Sequence, residues 1–376
     1  MRSFYSYLFM LFFFFHNTGF VEVKLNELDQ TLNKVAQWQI DNHSYLEEGN
    51  LHDYGIDAWT NSVFYLGLSK WASNSSEGDK YNKWLYTQIG EKNEWVIPAN
   101  FKQYPKYSLY HADELAIGQF YTDMYDKLHE EPIISSLKER VDWIMNTAPD
   151  ENMTAHNKQI WSWCDALFMA PPVYAAMAKI TSNDAYLSYM HMRYKQTFDS
   201  LYDQKERLFY RDSSYFNKKE ANGEKVFWGR GNGWVVAGLC NILDLMPQSD
   251  SLRSFYITLY QDMIERLLEL RDENGFWHAS LLDPQSYPAP ETSATAMITY
   301  AIGYGINKNL LDRDKYLPIL LKSWNALLSI VDSNGRIGYV QPIGADPKNV
   351  TKDMTAVYGV GAFLLAGNEM YKLTNK

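Results

Sequence analysis

The chain has 376 residues, 46% of them hydrophobic, 21% charged and 15% aromatic, so it carries enough apolar surface for a large core and is not a disordered chain. A formal net charge of -10 argues against a nucleic-acid or anionic-membrane partner, which the bulk surface would repel. An anionic small substrate remains compatible with it, given a locally basic pocket.

In chain order, the first feature is an apolar run from Phe4 to Phe15 behind a single basic residue. Twelve residues are too few to span a bilayer and suit the h-region of an export signal, with Thr18 and Gly19 the best cleavage candidates. The expectation is a signal peptide over residues 1–20, a bacterial protein exported to the periplasm or secreted, and a single domain over residues 21–376. An uncleaved anchor is the alternative.

Beyond the run, helical periodicity recurs and two kinds of helix alternate. One kind is polar on one face: Glu27 to His43, Asp79 to Asn93, Ser135 to Asn146, Asp184 to Tyr202, Ser251 to Arg271 and Asp312 to Val331. The other kind is small, aromatic and nearly uncharged past its first turn: Asp57 to Ala72, Asp113 to Leu128, Asp165 to Ile180, Arg230 to Met246, Thr292 to Ile306 and Asp353 to Tyr371. The first kind reads as outer helices with a solvated side, the second as inner helices. Inner helices start every 52 to 65 residues. Six outer-inner pairs with parallel inner members predict an all-α fold, an (α/α)6 barrel, because each pair buries its apolar face only against its neighbours. All six inner helices then begin at one mouth, ringed by Asp57, Asp113, Asp165, Arg230, Thr292 and Asp353. The segments LYDQKERLFYRDSSYF, LRDENGFWHAS and IVDSNGRIGYV predict short hairpins lining it.

Several residues at this mouth are suited to chemistry. Asp165 lies in WSWCDALFMAPP, where Pro171 and Pro172 suit a helix start and so place the aspartate just outside the regular helix. Trp161, Trp163, Phe168 and Met169 around it would withdraw water and raise its pKa toward that of a proton donor; the plainer reading is an N-cap. Asp113, in YHADELAIGQFY, is a second carboxylate that neighbouring inner helices would bring near Asp165, with Glu114 as the structural alternative. In FWGRGNGWVVAGL, Arg230 offers a fork for a carboxylate or sulfate, Trp228 and Trp234 offer stacking faces, and Gly231 and Gly233 allow close backbone approach. The 28 tyrosines and 12 tryptophans fit either a large core or platforms for sugar rings. His52, His111 and His278 are scattered and form no metal cluster, and no motif asks for a cofactor. Cys164 and Cys240 read as buried thiols, with one disulfide as the alternative.

Taken together and in this order, HADELAIGQ, WCDALFMAPP, WGRGNGW, PETSATAMITYAI and GYVQPIGADPKNVTKDMTAVYGVGAFLLAG resemble the unsaturated rhamnogalacturonyl hydrolases of glycoside hydrolase family 105, relatives of the unsaturated glucuronyl hydrolases of family 88. The resemblance runs from about residue 30 to the C-terminus. It implies an (α/α)6 barrel, Asp165 as general acid and base, Asp113 as an assisting residue on the sugar hydroxyls, and Trp228, Arg230 and Trp234 around the unsaturated uronate. His111, Thr292 and Ser293 fall within or beside its motifs and join the substrate-binding candidates. The implied partner is an unsaturated oligosaccharide from rhamnose-containing acidic polysaccharides (ulvan or rhamnogalacturonan), produced upstream by a polysaccharide lyase.

One position departs from the pattern. Family members acting on pectin fragments often carry histidine where LFYRDSSYF has Arg211. Arginine suits an extra oxyanion such as a sulfate on the neighbouring rhamnose; the alternative is a pairing with Asp212 or Asp203. The competing functional readings are a conventional inverting glycosidase using Asp113 and Asp165, a non-catalytic glycan-binding protein, and, more weakly, an intramolecular isomerase.

Overall fold

The computed structural model describes residues 18–43, 55–97, 109–150, 152–154 and 160–375. The apolar run from Phe4 to Phe15 and His52 lie outside the described residues. In chain order the α-helices are α1 (Thr18–Asp41), α2 (Trp59–Ala72), α3 (Gly78–Trp84), α4 (Ala116–Leu128), α5 (Pro132–Thr147), α6 (Ala166–Met169), α7 (Pro171–Thr181), α8 (Ala185–Leu201), α9 (Gly229–Leu245), α10 (Arg253–Glu269), α11 (Thr292–Asn307), α12 (Arg313–Ser329) and α13 (Val357–Thr374). Helix α3 runs on as a π-helix, Leu85–Gly90, and a 3-10 turn, Ala112–Leu115, leads into α4.

The inner ring closes on itself: α2 packs on α4, α4 on α7, α7 and α6 on α9, α9 on α11, α11 on α13, and α13 on α2. This is the (α/α)6 barrel expected from the alternation, with α1, α3, α5, α8, α10 and α12 outside. Composition explains the sorting. Every residue of α11 is buried, and α9 and α13 are buried over most of their length. Each fully buried large side chain contributes about 1.5–3 kcal/mol, so helices without a polar stripe belong in the middle.

Two of the predicted hairpins form at the ends of outer helices: β1 (Tyr202–Asp203) pairs antiparallel with β2 (Leu208–Phe209), and Val331 bridges Ile337. The middle segment turns at Asp272, whose N–H donates to Phe276 O, and beyond the turn it pairs with other segments, Ser280 with Trp228 and His278 with Pro290. Asp272 and Asp332 each accept backbone N–H bonds within their turns, which locks the reversals.

Three boundaries differ from expectation. The helix expected over Asp79 to Asn93 widens to π geometry from Leu85, where the Trp95 ring packs on Gly90. The third inner helix is cut in two around Ala170. The sixth begins at Val357 rather than Asp353, because the preceding segment pairs with the loop after α12: Val340 N–H donates to the Met354 carbonyl, and Asp353 is left exposed in a turn.

Candidate active site

Asp165 occupies the N-cap of α6, yet its carboxylate makes no cap hydrogen bond, so the plain capping reading does not account for it. Its Oδ1 accepts the Cys164 Sγ–H at 3.2 Å. Cys164 is a free, fully buried thiol, as is Cys240, so no disulfide joins them. Burial, with Asp165 beside it, pushes the Cys164 thiol up and keeps it a donor. The first turn of α9 comes so near that a Cβ on Gly231 would stand 3.0 Å from Cys164 Sγ and 3.6 Å from Asp165 Oδ1. Gly231 therefore brings backbone toward the acid. Gly233 instead faces Met297 and serves helix packing.

The surroundings of Asp165 are not purely apolar. Trp161, Trp163, Phe168 and Met169 are all buried around its turn, but the Arg211 guanidinium acts on it electrostatically. Burial works against the charge of Arg211, and Asp165 and Asp212 more than offset it, so the guanidinium stays charged. Arg211 Nη1 donates to Asp212, whereas Asp203 pairs with Lys225, which decides between the two intramolecular partners weighed above. Arg211 Nε is buried with no partner among the described residues. The Cys164 N–H donates to the Arg211 carbonyl at 2.9 Å, fixing the two segments side by side.

Asp113 sits in the 3-10 turn before α4, and that turn packs on α6. His111 caps the turn: its Nδ1 accepts the Asp113 N–H at 3.3 Å and lies 3.7 Å from Asp113 Oδ2. The His111 ring lies 4.8 Å from that of Trp163, two residues before Asp165, so one histidine links both acid-bearing turns. Glu114 points the other way, buried toward Arg140 at 3.4 Å. Burial raises its carboxyl to about 8; Arg140 lowers it, while Asp57 and Asp113 add to the rise.

The remaining candidates build the wall rather than project into the opening. Arg230, expected as a fork for an anion, is 1% exposed. It donates to the Gln341 carbonyl, to Pro342 O at 2.9 Å and to the Tyr358 hydroxyl at 3.0 Å, and it lies over the Trp228 ring at 4.4 Å. Its position in the first turn of α9 points it across to the loop after α12, where carbonyls without helical partners need donors. Trp228 Nε1 donates to Gln341 Oε1, and Trp234 is buried among Trp59, Phe168 and Tyr358. Thr292 and Ser293 are wholly buried: the threonine hydroxyl donates to Gly338 O and the serine hydroxyl to Glu291. Both hold the mouth's loops together.

Sequence reasoning missed Glu291, Gln341 and Tyr358. Glu291 caps α11 by accepting the Ser293 and Ala294 N–H groups and also takes the Gln341 N–H at 3.0 Å. Only the glutamate before a helix start was a local signal. Among the described residues no group of histidine, cysteine and acidic side chains could hold a metal, and no helix is long and apolar enough to cross a membrane.

The sequence profile of Glycosyl Hydrolase Family 88 matches residues 29–374. The chain is 38% identical over 365 residues to the "Unsaturated 3S-rhamnoglycuronyl hydrolase" of Formosa agariphila, covering 93% of this chain and 91% of the relative. A protein of the same name from Alteromonas sp. (strain LOR) is 34% identical, with 89% and 84% covered. A solved structure named "Polysaccharide Lyase BACCELL_00875" superposes with a TM-score of 0.82 at 31% identity, covering 94% of this chain and 99% of that one. Family 88 is the relative of family 105 to which the motifs pointed, and a match over nearly the whole toroid makes the conclusion plain: the chain belongs to glycosyl hydrolase family 88 and is a glycoside hydrolase.

Proposed function

We propose that this hydrolase removes the terminal 4,5-unsaturated uronic acid from lyase-generated oligosaccharides of rhamnose-containing acidic polysaccharides, and that the reaction runs at the Asp165 turn. The observation that carries the reading is an aspartate at an inner-helix start whose carboxylate does not cap its own helix and is framed by a thiol donor, a guanidinium and a glycine backbone.

The substrate's alkene is a vinyl ether, so one proton is enough to activate it. Asp165 as the acid protonates C4, and the ring oxygen shares the positive charge that develops at C5. Water adds at C5 and returns a proton to the Asp165 carboxylate. The hemiketal opens and the aglycone leaves. A single acid-base residue suffices, with Asp113 positioned to assist through the sugar hydroxyls, whereas direct displacement at the anomeric carbon needs two carboxylates at a set spacing. The charged Arg211 favours the carboxylate that Asp165 becomes on giving up its proton, and it suits an anionic substrate. With Nη1 on Asp212, its remaining donors suit a sulfate on the neighbouring rhamnose.

In this reading the enzyme acts after a polysaccharide lyase, since lyases leave that alkene behind. Export to the periplasm or the exterior belongs to it too, and rests on the apolar run from Phe4 to Phe15. A second reading, lyase activity, is favoured only by the name of one solved neighbour. The ultraviolet absorbance of the conjugated alkene separates them, because the hydrolase consumes it and a lyase creates it. On unsaturated oligosaccharides from ulvan, pectin and glycosaminoglycans, the absorbance should fall fastest with the rhamnose-containing ones. A rise on intact polysaccharide would reverse the assignment, and equal rates on sulfated and desulfated disaccharides would remove the role given to Arg211.

A further inference from the structure

Helix α6, which carries Asp165 at its cap, is a single turn severed from α7 by Pro171 and Pro172. In a continuous helix the carbonyls of Leu167 and Phe168 would accept from residues 171 and 172, and neither proline has an N–H to give. Both carbonyls belong to fully buried residues, where a missing partner costs about 1–3 kcal/mol. The Leu167 carbonyl lies against Gly238 of α9, where a Cβ would stand 2.4 Å away. The Phe168 carbonyl accepts from Gln119 Nε2 of α4 at 2.8 Å.

The orientation of that amide is itself fixed. Gln119 Oε1 accepts from Asn241 Nδ2 at 2.9 Å, and Asn241 Oδ1 accepts from the Tyr300 hydroxyl at 2.7 Å. Donors and acceptors therefore run in one direction from α11 through α9 and α4 to the α6 turn. The Phe168 N–H in turn donates to the Asp165 carbonyl at 3.0 Å. A carboxylate that does not bind its own helix depends on this turn for its place. We infer that Gln119, backed by Asn241 and Tyr300, is a positioning residue for Asp165: it replaces the hydrogen bond that Pro172 cannot make and fixes the turn from which the acid acts. This rests on the functional reading above, in which Asp165 transfers the proton.

The test is steady-state kinetics by loss of alkene absorbance on an unsaturated disaccharide, with folding followed by circular dichroism. Gln119→Leu should lower kcat about 10-fold to 100-fold, the scale set by small misplacements of a catalytic group, with KM within twofold. Gln119→Glu should regain activity as pH falls, because only the protonated carboxyl can donate to Phe168, adding an ionisation limb absent from the wild-type profile. Tyr300→Phe leaves Gln119 in place and should cost kcat a few-fold at unchanged KM; it decides the matter where Gln119→Leu does not fold. Wild-type kcat in Gln119→Leu or in Tyr300→Phe, or a wild-type pH profile in Gln119→Glu, overturns the inference alone. A wild type that consumes no unsaturated substrate overturns the functional reading, and this role with it.

Discussion

The two ends of the toroid carry opposite charges by the same rule and use them differently. At the N-terminal end of the inner helices stand Asp57, Asp113 and Asp165, where the helix dipole favours acids; at the other end stand Lys70, Lys127, Lys179 and Lys308, where it favours cations. The lysine end is closed by pairing: Lys70 and Lys127 share Asp123 at 2.6 and 3.3 Å, Lys179 meets Asp126 at 2.5 Å and Lys308 meets Asp244 at 2.6 Å. The cavity between Lys70, Asp123, Asn241 and Tyr300 has about 40 Å³ of room, suited to water rather than a sugar. At the aspartate end, among the described residues, Asp165 accepts from a weak thiol donor and Arg211 keeps a buried Nε without a partner. Paired charge stabilises a wall, whereas incompletely satisfied charge is available to a substrate.

The largest expected break in this comparison is Asp165→Asn, which should lower kcat on an unsaturated disaccharide by about 10²–10⁴-fold while the melting temperature stays near wild type. Next is Arg230→Met, which strands the Pro342 carbonyl, leaves the Gln341 carbonyl with the Tyr358 hydroxyl alone, and should destabilise the fold by about 2–4 kcal/mol in denaturant titration. Were Arg230 a ligand fork alone, stability would hold and only KM would rise.

Asp123→Asn sharpens the contrast from the closed end. Burial works against its charge, but Lys70 and Lys127, with hydrogen bonds from Lys70 and Ser69, hold the Asp123 carboxyl well below the usual range. Its stabilisation is therefore complete above the unfolded value of about 3.9 and is lost as pH falls through the lower folded value. The variant should lose about 1–2 kcal/mol at pH 7, less at pH 3, and keep wild-type kcat. A dependence on pH rather than a fixed offset is expected at Glu114, whose folded value is raised to about 8. Its contribution to stability falls as pH rises from the unfolded carboxylate range toward 8, so the melting temperature of Glu114→Gln relative to wild type should climb between pH 5 and pH 8. A pH-independent difference would contradict the raised value.

Most of the toroid was legible because periodicity and composition report burial directly: the expected inner-helix starts at Asp57, Asp113, Asp165, Arg230 and Thr292 fall within about three residues of the observed ones. The start at Asp353 failed because the loop after α12 takes the carbonyls of Thr351 and Met354, which no local pattern records. The break around Ala170 was half legible: the prolines announced a helix start, but not the extra turn before it. At the site, Asp165 was legible from its odd setting. Arg230, Thr292 and Ser293 were recognised as belonging to the mouth, but their orientation depends on Gln341, Gly338 and Glu291, partners set by tertiary packing.

The most direct test of the central claim, that the aspartate end hydrates an alkene rather than displacing an aglycone at the anomeric carbon, is to follow alkene absorbance and aglycone release together on one unsaturated disaccharide. The account predicts that the two run one for one, with the alkene lost no later than the aglycone appears. Release of aglycone from a sugar that keeps its alkene would contradict it.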